Sequence, residues 1–215
     1  MLAMGRDTGH ACVMAVIEDT CSPKRRAILA AATGLFAARG YGAVSMDAIA
    51  READVSKATL YAHFASKDAL FATIVNVACQ ENILPGQDLP EGESDVEAGL
   101  LAIGRRILRF FLEEQTIAMH RLVVAESVRF PELGRAFFEN GPLAVRQRLA
   151  RWLSRQTALS VPDPEVAAEQ FLGMLRSGLY TRVTLGLVAT PGDADLEETV
   201  VNAVNTFLRA FRAPP

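Results

Sequence analysis

With 215 residues, 50% of them hydrophobic and 22% charged, the chain has the composition of a folded globular protein and enough length for one large or two small domains. The net charge of -3 excludes a uniformly basic polyanion binder, but residues 23–71 hold seven Lys and Arg against four Asp and Glu, a basic segment on an acidic remainder. Cys12, Cys21 and Cys79 are odd in number and form no CxxC pair, which argues against a disulfide framework and a zinc site, so no metal and no cofactor is expected.

Residues 1–22 read as a disordered tail. Their apolar run, Ala11 to Ile17, is short and ends in Glu18 and Asp19, so neither a signal peptide nor a membrane span is expected, and the cytoplasm is the default location. From Pro23 to Arg39, Ile28, Ala31, Ala32, Leu35 and Phe36 recur at helical spacing, with Pro23 suited to the first turn and Gly40 to the stop. Ser45, Ser56 and Ser66 then stand as N-caps before three further helices, Met46 to about Ala53, Lys57 to His63 or Phe64, and Lys67 to about Asn82. Residues 84–94 hold two prolines and two glycines and read as a loop. Long helices are predicted beyond it, over 95–114, 117–128, 131–139, 142–156, 163–187 and 193–212. No alternating run is long enough for a strand, and the fold class is all-α.

Capped short helices separated by a few residues describe a helix-turn-helix, here a three-helix N-terminal domain over 23–71 joined to a helical body over 72–215. Ile49, Ala50, Ala53, Val55, Leu60 and Phe64 can form its small core. With Leu60 turned inward, Lys57, Ala58, Thr59, Tyr61 and His63 are left for a DNA groove and its walls. Tyr61 and His63 can donate to phosphates, and Lys67 lies at a helix N-terminus, itself a favourable phosphate site. The same lysines also suit a solvated helix face, and the Thr59 hydroxyl can instead bond its own helix backbone.

The run Gly40-Tyr41-Gly42-Ala43-Val44-Ser45-Met46-Asp47-Ala48-Ile49-Ala50, followed by Val55-Ser56-Lys57-Ala58-Thr59-Leu60-Tyr61-Ala62-His63-Phe64-Ala65-Ser66-Lys67-Asp68-Ala69-Leu70-Phe71, resembles the DNA-binding signature of the TetR/AcrR family of transcriptional regulators. The resemblance implies a dimeric repressor of double-stranded operator DNA, released by a small apolar or amphipathic effector. It puts phosphate contacts on Ser45, Tyr61, His63 and Lys67 and base-facing positions on Lys57, Ala58 and Thr59. Asp54 and Ala58 stand where glycine is usual; aspartate tolerates a left-handed turn, while the Ala58 methyl makes operator sequence non-transferable from relatives. Residues 119–138 are similar to the AefR-like regulatory domain, which implies a ligand-binding and dimerisation body. Two apolar stripes, one holding Phe171, Met174, Leu175 and Gly178 and the other Val200, Val204, Phe207 and Phe211, are where the resemblance places the dimer bundle. Pocket-lining residues are not legible.

Catalysis is not expected, because no GxSxG elbow, phosphate-binding glycine loop or HExxH is present. An activator with the same head, or a helical protein-interaction module, are the other functions open at this point.

Overall fold

The computed structural model describes residues 22–82, 95–189 and 191–213. The tail expected over 1–22, apart from Ser22, and the loop over 84–94 lie outside them. The described residues form helices: α1 (Pro23–Arg39), α2 (Met46–Glu52), α3 (Lys57–His63), α4 (Lys67–Asn82), α5 (Val96–Leu112), α6 (Glu114–Glu126), α7 (Pro131–Asn140), α8 (Pro142–Leu153), α9 (Pro164–Leu175), α10 (Gly178–Thr184) and α11 (Asp193–Phe211). None is long and apolar enough to cross a membrane.

Serine capping sets the N-terminal helices. Ser22, Ser45, Ser56 and Ser66 each accept from the backbone N–H three residues on, at 3.0–3.3 Å. Gly40, at φ +78, ends α1 in a conformation that side chains rarely adopt. The turn between α2 and α3 puts Asp54 at φ +51, as its place in the signature predicts. A left-handed turn disfavours Cβ by roughly 1 kcal/mol, and a short polar side chain relieves part of that. Asp54→Ala is therefore expected to lower the melting temperature by about 2–4 °C, whereas Asp54→Gly leaves it unchanged or raises it. Equal melting of the two variants would count against this turn geometry.

The helices cluster into two compact units. Among the described residues, one holds 22–78 together with Ala118–Asn140; the other holds 79–82, 95–117, 141–189 and 191–213. The stretch 118–140, assigned by sequence to the body, thus clusters with the N-terminal helices. Phe36, Tyr41 and Phe71 form the centre of the first unit, with ring centroids 5.2–5.9 Å apart, and Ile28, Ile49, Leu60 and Leu70 are fully buried around them.

In the second unit α11 packs on α5 and α9, and α9 on α8. Two glycines make the close approaches: a Cβ on Gly99 would lie 2.7 Å from the Trp152 ring, and one on Gly104 2.9 Å from Val200. Phe171 and Phe207 meet edge to face at 5.3 Å. Phe171, Leu175, Val200, Val204 and Phe207, expected at the dimer interface, are each at most 1% exposed within the single chain. These five residues pack against each other and α5 inside the single chain, so they lie in its core rather than on a face open to a partner. Met174 and Phe211 are half-buried and only Gly178 is exposed. The long helix expected over 163–187 is also broken. Its hydrogen-bonded run stops at Leu175 and restarts at Gly178, with Arg176 and Ser177 in the joint.

Candidate DNA-binding surface

Helix α3 is seven residues long and divides sharply. Leu60 is fully buried and caps its C-terminal end through Phe64, whose N–H bonds the Leu60 carbonyl. On the other side Lys57, Ala58 and Tyr61 are exposed, Tyr61 to 45%, and positions i, i+1 and i+4 share one helix face. The exposed end of the helix is therefore methyl, ammonium and phenol. Thr59 is half-buried, its Oγ1 2.8 Å from the Ser56 hydroxyl that caps the helix, a side-chain partner rather than the backbone one anticipated. His63 is half-buried, its ring beside that of Phe64.

Lys57 reaches back across the turn to Asp47 in the first turn of α2, at 2.8 Å. Hydrogen bonding to Asp47 holds its ammonium above the ordinary lysine pKa. Both partners are exposed, and such pairs contribute little to stability, so a phosphate or base can replace the carboxylate at small cost. Ser45 is exposed beside Asp47 and accepts from the Ala48 N–H.

Lys67 opens α4, as expected, and is held from one side. Its Nζ donates to the carbonyls of Tyr41 at 2.9 Å and Val44 at 3.0 Å and lies 4.1 Å from the centre of the Tyr41 ring. Desolvation lowers its pKa from the usual value. Two of its three N–H donors are bound to main chain, and the half-buried side chain keeps the third. The lysine fastens the α1–α2 turn.

The same turn is held by a group that the sequence reading did not assign. Glu126, at the C-terminus of α6, accepts from the Tyr41 N–H at 2.7 Å with one carboxylate oxygen and from the Gly42 N–H at 2.8 Å with the other. Phe130 stacks edge-on to Tyr41 at 5.7 Å and approaches Gly42 so closely that a Cβ there would lie 2.8 Å from its ring. The Tyr41 hydroxyl donates to Asp68, and burial together with that carboxylate holds the phenol far above its ordinary pKa. Carboxylate, ammonium and ring thus fix residues 40–45, the segment that delivers Ser45 and the start of α2. The partners are 84 and 85 residues apart, beyond the reach of any local spacing rule.

Residues 28–74 match the family model described as bacterial regulatory proteins, tetR family, and residues 98–213 match the AefR-like transcriptional repressor, C-terminal domain. The chain is similar to the HTH-type transcriptional regulator UidR of Escherichia coli (strain K12), 26% identical over 202 residues, which cover 92% of this chain and 93% of that one. Among solved structures it is similar to the flavonoid-responsive regulator FrrA, with a TM-score of 0.75 and 36% identity over 89% of this chain and 98% of that one. A putative TetR-family transcriptional regulator from Mesorhizobium loti MAFF303099 superposes with a TM-score of 0.73 at 30% identity, over 88% and 97% of the two chains.

Proposed function

The chain belongs to the TetR family of bacterial transcriptional regulators and is a DNA-binding regulator of transcription, and from that premise we propose that it is a cytoplasmic repressor, held on operator DNA as a homodimer and released by a small apolar or amphipathic effector. Residues 23–71 form the DNA-binding head, and residues 72–215 supply effector binding and dimerisation. The observation that carries the reading is the two-sided α3: Leu60 is wholly buried while Lys57, Ala58 and Tyr61 stand exposed on one face, free to enter a major groove. Repression is supported by the AefR-like repressor description of the body's family model. An amphipathic effector is supported by the likeness to a flavonoid-responsive regulator.

Of the contacts read from the signature, Lys57, Ala58 and Thr59 face bases and Ser45, Tyr61 and His63 face phosphates. Lys67 acts from within by holding the turn. The dimer forms through the outer side of α10 and α11, where Met174, Gly178, Arg182, Asp195, Glu198, Asn202 and Thr206 line a shallow groove of about 370 Å³. Its mixed charge, Arg182 with Asp195 and Glu198, suits self-pairing about a two-fold axis. Two heads so related read half-sites about 34 Å apart on one face of the duplex.

Selection from a randomised operator library, followed by fluorescence anisotropy on the selected duplex, tests the reading. Tyr61→Phe is expected to weaken every sequence alike, by about fivefold for one lost hydrogen bond. Lys57→Ala is expected to change which bases are selected and to flatten the dependence of affinity on salt by about one unit of slope. No sequence-selective duplex for the wild type, or the parent's sequence preference and salt slope in Lys57→Ala, would overturn these assignments.

A further inference from the structure

The joint between α9 and α10 carries an arginine for which no carboxylate partner is found among the described residues. Arg176 is half-buried, and its Nε is fully buried with no hydrogen-bond acceptor. Its guanidinium carbon lies 4.3 Å from the centre of the Phe111 ring, on α5. The titratable groups that interact with it are the Tyr180 phenol on α10 and the Cys79 thiol on α4. Burial pushes the thiol up to about 12 and the phenol above its ordinary value, so both are neutral at physiological pH. None of the carboxylates in the ion pairs of this unit reaches it; they bind Arg105, Arg146 and Arg212.

A guanidinium stays charged in any protein environment, so the group cannot escape its desolvation by losing a proton. An aromatic face and the C-terminal end of a helix stabilise the cation, by about 1 kcal/mol each. Neither supplies an acceptor for Nε, and a buried donor left without one costs about 1–3 kcal/mol. Beside the arginine lies an apolar cluster: Ile117, Leu179 and Val183 are buried together, with the partly buried Leu112, Tyr180 and Val188 packed on them. Tyr180 thus borders both the cation and the apolar cluster. The sequence gives no sign of this arrangement, because Arg176 falls inside what reads as one continuous helix; the break at Arg176–Ser177 is what sets its side chain at the Phe111 face.

We propose that Arg176 is the anion-binding residue of the effector site and that the effector is an amphipathic monocarboxylate, its carboxylate accepting from the buried Nε–H and its apolar part lying on the Leu179–Val183 cluster. The proposal rests on the reading that this unit binds the effector. A fork of donors matches a carboxylate in two-pronged geometry. One cation, with neutral groups around it, balances a single negative charge and leaves a dianion such as a phosphate monoester half uncompensated in a poorly solvated place. A neutral alcohol of equal length would leave the buried cation as it was.

The full chain is titrated by calorimetry with two matched pairs, decanoate with decanol and 4-phenylbutanoate with 4-phenylbutanol. The wild type is expected to prefer the acid at least tenfold in one pair or both. Arg176→Met, which keeps the length and the apolar contact with Phe111, is expected to lose that preference while binding the alcohol as well as before. Without ligand, Arg176→Met is expected to melt a few degrees higher than the wild type, because it removes a half-buried charge whose Nε–H has no acceptor; an arginine satisfied within the fold would give the opposite sign. Arg176→Lys keeps the charge without the fork and is expected to hold a reduced preference. Binding of neither member of either pair, equal binding of acid and alcohol by the wild type, or an unchanged preference in Arg176→Met overturns the proposal. Operator binding by the ligand-free wild type is measured alongside. Its absence would count against the regulator reading and leave an Arg176-dependent acid preference standing.

Discussion

Replacing Glu126 with alanine is expected to lower the melting temperature by about 4–8 °C, the equivalent of roughly 2 kcal/mol in a chain of this size. The carboxylate accepts from two consecutive backbone N–H groups, at 2.7 and 2.8 Å. Bonds to an ionised acceptor are worth more than neutral ones, and alanine removes both. Gly42 is exposed and its N–H can turn to water; Tyr41 is buried, so its N–H loses the partner without replacement. The effect on DNA should follow from the place of this turn, four residues before Ser45 and α2. An operator affinity about tenfold weaker is expected, since a displacement of that order in a docked element commonly costs about 1.4 kcal/mol. Glu126→Gln retains one acceptor oxygen and should recover about half of each loss. Melting and operator affinity equal to the wild type in both variants would show that the clamp contributes to neither.

Gly178→Leu is expected to convert the dimer to monomer at micromolar concentration while leaving the monomer's fold intact. In the single chain a Cβ on Gly178 meets no atom within 4 Å, and the residue is exposed, so leucine has room there. Its side chain would fill the groove between α10 and α11 that is proposed above as the dimer interface. Operator affinity should then fall by at least about a hundredfold, because each head must bind alone and the intramolecular advantage of the second half-site is lost. Sedimentation velocity and circular dichroism of the two proteins decide the matter. A variant that remains dimeric, or a wild type that is monomeric at the same concentration, would place the interface elsewhere. Phe207→Ala serves as the contrast: Phe207 is fully buried within the chain, so this change should act on melting before it acts on assembly.

Much of the DNA-binding head was legible in the amino-acid sequence because its determinants are local. A serine three residues before a helical N–H is a cap whatever surrounds it, and Ser45, Ser56 and Ser66 each play that part; Ser22, read as the end of a disordered tail, does so as well. Asp54 at φ +51 is likewise a property of one residue in one turn. Helical spacing alone turned Leu60 inward and left Lys57, Ala58 and Tyr61 outside. The all-α class and the helix-turn-helix follow from such short-range rules, and the family resemblance rests on the same residues.

What surrounds an apolar stripe is not local, and here only the tertiary structure decided. The stripe of Phe171 and Leu175 and that of Val200, Val204 and Phe207 have the pattern of helices that pack on something, but the pattern is the same whether the something is a partner or the chain itself. Gly104 lets α5 come close to Val200 and closes both stripes inside one chain. Charge is undetermined in the same way. That Lys67 also holds the Tyr41 and Val44 carbonyls, and that Glu126 lies on the Tyr41 N–H 85 residues away in sequence, could not be read from spacing. A hydrogen bond or a desolvation penalty depends on which atoms lie within about 3–4 Å; a sequence orders residues along the chain, and folding alone sets those distances.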